Sequence, residues 1–476
     1  MKDIRYVAHS SRPSKYSSKL RSFLNQTTFL ILGFWLLGCS DFIEPDPPKN
    51  ILISETVFND PATVESALAN IYHKLREQGM VSGNFGLTTL MGIYADELDY
   101  YGTNYSYHEF YNHTINDENS ILSSWWNHAY NIIYASNDIL KGLEASDKIP
   151  LKKRESLIGQ ALFIRAYVHS LLVTLYGDIP YIQSTDYLKN KDVSRTPETE
   201  VYENIIADLR NAIIFLENTE SKVGERVIPD QNAAKALLAR IYLYTENWEL
   251  ASSLATEVIN GYNLEPNLDD VFIKSSKETI WQLKPGTSPS NTQEANQLII
   301  QSIPGQNYAL SESLLSKFEN GDLRFNNWIG SMSSTDSTTT LKYAHKYKLL
   351  FREMESLEYS IVFRVAEQYL IRAEAMAKQG NIASAQHDLN AIRNRAGLSN
   401  TTANSLNEIL DAILQERLVE LFTEHGQRWF DLKRTGKASE VLSVHKSNWQ
   451  NYNLLFPIPE KELATNPNLL PQNNGY

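Results

Sequence analysis

The sequence predicts a mainly α-helical protein in which helical hairpins form a scaffold and an irregular lobe of loops and short strands is built on it. Three observations predict this. Apolar residues recur at i, i+3 and i+4 over long stretches. Those stretches come in pairs joined by short turns. Three segments, 80–119, 263–359 and 425–476, break the helical period and are too long to be plain connections.

The helices follow in order. Asp60-Pro61 supplies an N-cap and a first-turn proline. Val64, Leu68, Ile71, Tyr72 and Leu75 then form one stripe of a helix over 60–78, stopped by Gly79. Further helices are predicted over 120–143 and 151–176, the second ending at Gly177-Asp-Ile-Pro180. A helix over 199–218 carries Val201, Ile205, Leu209 and Ile213. Asp230 caps the next segment, 231–260, which divides into two helices, the second from Trp248 to Ile259. In 361–396, Ile361, Val365, Tyr369, Arg372 and Met376 make one stripe, with Ala366, Leu370, Ala373 and Ala377 beside it. Gly380-Asn381 turns the chain back, and Gly397 closes the return helix as a C′ residue. Leu406, Ile409, Ile413, Leu418 and Leu421 carry a helix over 406–424. Ala236-Leu-Leu-Ala-Arg-Ile-Tyr…Trp248-Glu-Leu-Ala251 and Gln368-Tyr-Leu-Ile-Arg-Ala-Glu…Gly380-Asn-Ile-Ala383 share one logic: small residues, tight turn, second helix. That is the logic of tetratricopeptide (TPR) hairpins, where small residues let helices approach closely. Glu278-Thr-Ile-Trp-Gln-Leu283 reads as a short strand.

The N-terminal segment is of another kind. Cys39 is the only cysteine of 476 residues, and it follows the nine-residue apolar run Phe29–Leu37. Lys2, Arg5, Arg12, Lys15, Lys19 and Arg21 precede that run against one acid, Asp3. The run is far shorter than the roughly 20 residues of a membrane span. It resembles a bacterial lipoprotein signal over 1–38, cut before Cys39, which then carries acyl chains such as palmitate. The acidic, proline-rich stretch after it reads as an extended tether over 39–50. A single domain is expected over 51–476. Residues 39–476 carry 38 Lys and Arg against 55 Asp and Glu, a formal charge of −17. Such a body is a poor partner for nucleic acid. With Cys39 acylated, no thiol remains for a metal site or a nucleophile.

Four ordered motifs carry a family resemblance. They are Phe163-Ile-Arg-Ala-Tyr-Val…Tyr176-Gly-Asp-Ile-Pro180, Ile371-Arg-Ala-Glu-Ala-Met-Ala…Leu389-Asn-Ala-Ile-Arg-Asn-Arg-Ala-Gly-Leu398, Glu416-Arg-Leu-Val-Glu-Leu-Phe-Thr-Glu-His-Gly-Gln-Arg-Trp-Phe-Asp-Leu-Lys-Arg434, and the C-terminal Leu455-Phe-Pro-Ile-Pro-Glu…Asn466-Pro-Asn-Leu…Gln472-Asn-Asn-Gly-Tyr476. Together they resemble the SusD/RagB family of outer-membrane nutrient-uptake lipoproteins of Bacteroidetes. His425, Gln427, Pro471 and Asn474 depart from the family pattern. The resemblance implies about four TPR-like pairs under an irregular lobe. It also implies a surface-exposed, lipid-anchored protein of the cell outer membrane that binds a nutrient, most often a glycan. Its partner would be a SusC-like TonB-dependent β-barrel transporter, which it lids.

Sugars are held by stacking their C–H faces on aromatic rings and by hydrogen bonds to their hydroxyls. The stretch Asp96-Glu-Leu-Asp-Tyr-Tyr-Gly-Thr-Asn-Tyr-Ser-Tyr-His-Glu-Phe-Tyr111 has that composition and no helical stripe. Counting Tyr94 it holds six tyrosines, and Tyr100, Tyr101, Tyr105 and Tyr107 are the candidate platform, with Asp96, Asp99 and Asn104 as polar partners. Trp328, flanked by Asn326 and Asn327, reads equally as platform or core. Trp281 and Trp429 read as core; of Trp125 and Trp126, one faces the core and the other is undetermined. Arg165, Arg372, Glu416 and Glu420 lie on otherwise apolar helices and are expected to form interhelical ion pairs.

Catalysis is not expected. Asp96 and Asp99 could mimic a glycosidase pair, but HExxH, P-loop and GxSxG elements are absent. His108 and His113 are a weak metal signal. No cofactor is expected, and a structural calcium ion stays open. The rival readings are a TPR-type scaffold that binds a peptide or protein on its helical face and, more distantly, a glycoside hydrolase.

Overall fold

The computed structural model describes residues 57–219 and 225–476. Residues 1–56, including Cys39, the signal and the tether, lie outside the described residues. The scaffold begins with α1 (Pro61–Glu77), whose N-cap Asp60 accepts from the Ala62 amide. Then come α2 (Leu87–Tyr94), β1 (Leu98–Tyr100) and α3 (Tyr105–Asn112). The long helices α4 (Ser120–Ala145) and α5 (Leu151–Tyr176) are followed by α6 (Glu198–Phe215), α7 (Gln231–Tyr244) and α8 (Trp248–Ile259). The second half holds β2 (Thr279–Leu283), α9 (Gln293–Leu298), β3 (Tyr308–Leu310), β4 (Ile329–Ser333), β5 (Thr340–Ala344) and β6 (Ser360–Arg364). It closes with α10 (Val365–Lys378), α11 (Ile382–Arg395), α12 (Leu406–Leu421), α13 (Gln427–Arg434) and α14 (Ala438–His445).

The helices pack in a row, each on the next: α4 on α5, α5 on α6, α6 on α7, α7 on α8, α8 on α10, α10 on α11. The fold is thus mainly helical, with a TPR-like scaffold. Helix α5 is long and apolar enough to cross a membrane, yet its apolar window is buried within the fold. It lies between α4 and α6, and from Leu157 onward it buries nearly every residue. Small residues permit the close approaches. Ala233, Ala236 and Ala239 are fully buried on α7, as are Ala366, Ala373 and Ala377 on α10. Gly142 of α4 takes the Phe58 ring against its backbone, where a Cβ would stand 2.2 Å from the ring.

Two expectations are corrected. The segment 361–364 is strand, not the start of a helix: Ile361-Val-Phe363 is β-branched and aromatic, and it pairs with β2 across Trp281↔Phe363 and Gln282↔Ile361. The segments expected to be irregular hold short helices, α2, α3, α9, α13 and α14 among them. The stretch with no legible stripe, 96–111, turns into α3 at Tyr105 because Asn104 accepts from the Ser106 amide and caps it. Among the described residues the strands form three two-stranded antiparallel sheets: β1–β3, β2–β6 and β4–β5.

Buried charge ties the helices together. Arg165 of α5 grips Asp208 of α6 through two nitrogens at 2.6 and 2.7 Å. Arg372 does the same to Asp388 across the α10–α11 hairpin, at 2.7 Å each. Arg324 reaches Glu416 at 2.6 Å and Glu420 at 2.9 Å. Glu420 also takes Arg364 at 2.6 Å, with Arg395 alongside. These are the register-fixing pairs expected of Arg165, Arg372, Glu416 and Glu420. Both Trp125 and Trp126 are buried, at 0 % and 3 % exposure, as are Trp281 and Trp429. His425, one of the departures in the third motif, bridges two segments, its ring nitrogens 3.0 Å from the Val81 and Ile361 carbonyls.

Candidate functional site

The tyrosine-rich stretch becomes a layered aromatic ridge. Its base is set by the β1–β3 pair, which places Tyr100 opposite Tyr308. The Tyr100 ring stacks on Tyr107 at 5.6 Å and leans on Tyr308 at 5.5 Å, while His108 meets its face edge-on at 4.9 Å. Gly102 closes over Tyr100 so tightly that a Cβ there would lie 2.4 Å from the phenol oxygen. That oxygen accepts from the Asn104 amide at 3.1 Å. Tyr107 donates to the Asn84 carbonyl at 2.8 Å, and burial pushes its phenol up to about 12. Tyr100 and Tyr107 are therefore fixed, hydrogen-bonded supports.

The exposed crest consists of other rings. Tyr101 is 46 % exposed and Tyr105 75 %. Tyr101 is pinned by its backbone amide, which donates to the Asn307 carbonyl at 2.8 Å. Phe85, 41 % exposed, extends the crest beyond Tyr107, their ring centres 6.3 Å apart. Beside it opens a cleft of about 660 Å³ lined by Asn84, Gln293, Asn296, Gln301, Arg352 and Glu353. Asn84 links the two, since its carbonyl holds Tyr107 and its side chain faces Gln297. Side-chain amides offer donors and acceptors together, which suits the hydroxyls of a sugar.

Of the predicted residues, Tyr101, Tyr105 and Asn104 are exposed, and Tyr100 and Asp99 are half-buried. Asp99 accepts from the Tyr111 hydroxyl at 3.0 Å, and Lys446 stands 3.9 Å above the Tyr111 ring. Two expected contacts are corrected, Tyr107 and Asp96, and the open alternative at Trp328 is decided as core. Tyr107 is a buried support at 8 % exposure. Asp96 is 3 % exposed and locked in a bidentate pair with Arg428, at 2.7 and 2.9 Å. Burial alone would raise its carboxyl, but Arg428 holds it below the usual range. Asp96 is thus a structural anion for α13, and the Asp96–Asp99 acid/base pair does not assemble. Trp328 is fully buried: its indole donates to the Leu268 carbonyl at 3.0 Å, and Phe272 meets its ring edge-on at 5.4 Å. His113 is buried, its Nε2 2.7 Å from the Tyr94 carbonyl, and burial lowers it to about 3. Among the described residues no three potential ligands converge on a metal-sized site.

Sequence reasoning missed Phe85, Tyr308 and the amide residues of the cleft. They come from segments some 200 residues apart, and only the β1–β3 pairing and the α9 approach bring them together. Tyr308 alone had a local signal, the aromatic in Tyr308-Ala-Leu310.

Residues 41–243 match a SusD-like family model described as "Starch-binding associating with outer membrane", and residues 304–476 match the SusD family model. SusD-like protein P2 of Formosa agariphila is 30 % identical, aligned over 94 % of this chain and 99 % of its own. The chain belongs to the SusD family. SusD relatives also share its fold. A SusD superfamily protein of Bacteroides vulgatus superposes with a TM-score of 0.77 at 22 % identity, over 88 % of this chain and all of its own. A laminarin-binding SusD-like protein superposes with 0.73 at 24 % identity, over 87 % and 99 %.

Proposed function

We propose that the protein is a lipid-anchored glycan-binding protein of the outer-membrane surface, which captures oligosaccharide on the aromatic crest and lids a SusC-like TonB-dependent transporter. One observation carries the ligand class: Tyr101, Tyr105 and Phe85 present exposed rings on a rigid, hydrogen-bonded base, beside an amide-lined cleft. The backbone that carries these rings is already ordered, so binding spends little on ordering it. The matched family description and the laminarin-binding neighbour support the same class. The signal over 1–38, acylation at Cys39 and the tether over 39–50 belong to this proposal, as does the absence of turnover. Two or more acyl chains on Cys39 would hold the body stably at the membrane, where one would not.

The test is affinity electrophoresis against laminarin, starch, xylan, mannan and pectin. At least one neutral polymer should retard the protein. Tyr101→Ala/Tyr105→Ala should weaken that retardation by about tenfold, from two stacking contacts of the size aromatic contacts reach, with the melting temperature unchanged because both rings are exposed. Retardation equal to wild type in the folded double variant would remove the crest from the site. Separately, Cys39→Ala should abolish palmitate labelling, release the protein from the membrane fraction, and reduce its co-purification with a large β-barrel protein. A Cys39→Ala protein that still labels and sediments with membranes would sink the anchor reading.

A further inference from the structure

Phe85 and Asn84, which join the crest to the amide-lined cleft, sit on residues 80–86, a stretch between α1 and α2 that is neither helix nor strand. Side chains from distant parts of the chain hold its backbone instead. The Val81 carbonyl lies 3.0 Å from Nδ1 of His425. The Gly83 carbonyl accepts from Gln297 of α9 at 2.9 Å, the Asn84 carbonyl from Tyr107 of α3 at 2.8 Å, and the Phe85 carbonyl from the Trp125 indole of α4 at 2.7 Å.

Of these side chains His425 is the one that belongs to neither crest nor cleft. It is buried between α12 and α13, and its Nε2 lies 3.0 Å from the Ile361 carbonyl of β6. A carbonyl oxygen only accepts, so the ring makes both bonds only with hydrogen on both nitrogens. Its backbone is fixed as well. The His425 amide donates to the Thr88 hydroxyl of α2 at 3.2 Å, and its φ of 45° is a left-handed conformation that few residues other than glycine adopt. Such a conformation persists where the surroundings dictate the position of a side chain.

A second bridge runs beside the first. Glu294 of α9, also buried, accepts through one oxygen from the Ser82 hydroxyl at 2.8 Å and the Ser360 hydroxyl at 2.7 Å. Ser82 and Ser360 are the chain neighbours of Val81 and Ile361. The stretch is thus tied to β6 twice, by a ring that donates at both ends and by a carboxylate that accepts from both. The same α9 turns Gln293 and Asn296 to the cleft. Phe85 is 41 % exposed, so the core gains little from where its ring points. A ligand does gain, because a surface ordered beforehand spends less on ordering when it binds.

We propose that His425, backed by Glu294, is a positioning residue of the glycan site, which sets Phe85 and Asn84 at the edge of the cleft by tying residues 80–86 to β6. The proposal rests on the crest reading above. The test is affinity electrophoresis of the full chain in the polymer that retards the wild type. His425→Gln, which leaves one donor nitrogen, should weaken retardation by about fivefold, the scale of one side chain that must be ordered on binding. The loss should shrink below about twofold in a Phe85→Ala background, where the positioned ring is already gone. It should persist in a Tyr101→Ala background, because Tyr101 is pinned by Asn307 and not by this stretch. General damage to the fold would weaken all backgrounds alike. Hydrogen exchange should quicken over 80–87 in His425→Gln and keep its wild-type rate in β1. Wild-type retardation by the folded variant, an equal loss in every background, or unchanged exchange over 80–87 each overturns the proposal and leaves the crest standing. If His425→Gln does not fold, Ser82→Ala, which removes one oxygen from the second bridge, decides by the same comparison, and undiminished retardation overturns the proposal. A wild type that no polymer retards removes the crest reading and this proposal with it.

Discussion

Arg364→Ala is expected to destabilise the protein by about 3–5 kcal/mol, the cost of breaking a buried ion pair from one side. Arg364 ends β6 and is 2 % exposed. Its Nε donates to Glu424 at 2.8 Å, its Nη1 to Glu420 at 2.6 Å and Glu278 at 3.3 Å, and its Nη2 to the Glu420 carbonyl and Glu424 at 2.8 Å each. Removing it leaves three buried carboxylates sharing Arg395, Arg324 and Lys346. Arg364→Lys restores the charge but not the planar fork, and should recover only part of the loss. The acid side of the stability profile supplies a second readout. Burial pushes Glu420 up, but Arg395, Arg364 and Arg324 hold it well below its ordinary value of 4.5. A carboxyl depressed on folding stabilises above its unfolded value and loses that contribution as pH falls. The variant should therefore lose less stability on acidification than wild type. Urea unfolding at constant slope measures both effects. A loss below about 1 kcal/mol would mean that the network behaves like a surface pair.

Trp328→Ala should cost about 3–5 kcal/mol as well, and leave glycan retardation by the folded protein unchanged. Its ring is wrapped in cations, with Lys346 Nζ at 4.9 Å and Arg395 Cζ at 5.6 Å from its centre. Deletion therefore opens a cavity and removes a face that these charges use. Trp328→Phe keeps most of the volume but removes one of two donors to the Leu268 carbonyl, which keeps the Val271 amide, at a cost of about 0.5–1.5 kcal/mol for the lost hydrogen bond. Thermal and urea unfolding check the stability, and affinity electrophoresis checks the function. A variant of wild-type stability with weakened retardation would return Trp328 to the ligand platform.

Much of the scaffold is legible because its signals are local. Asp60, Asp230 and Asn381 cap helices through the next few backbone amides, and an i, i+3/i+4 stripe needs only its own turn. The same locality explains the error at 361–364. Ile361 and Val365 fit a helical stripe by spacing alone, and only the partner strand β2 makes the first four residues extended. Helix α3 escaped because its aromatic residues face both the core and the crest, so no single stripe marks it. Within the candidate site, composition located the stretch but not which rings show. Tyr100, Tyr101, Tyr105 and Tyr107 are chemically alike, and their burial depends on Tyr308, Asn84 and Gly102.

By itself the sequence determined the helical hairpin scaffold, the family, and four of the residues that form its buried ion pairs though not their partners, because helical period, caps and ordered motifs are written in neighbouring residues. It also marked Cys39 and the tyrosine-rich stretch as chemically distinct. Only the tertiary structure decided that Asp96 serves Arg428, that Trp328 is core, and that the crest is made of Tyr101, Tyr105 and Phe85. The physical reason is that exposure and charge pairing are set by what packs against a residue from elsewhere in the chain. Arg428 lies 332 residues from Asp96, and no local pattern encodes that meeting.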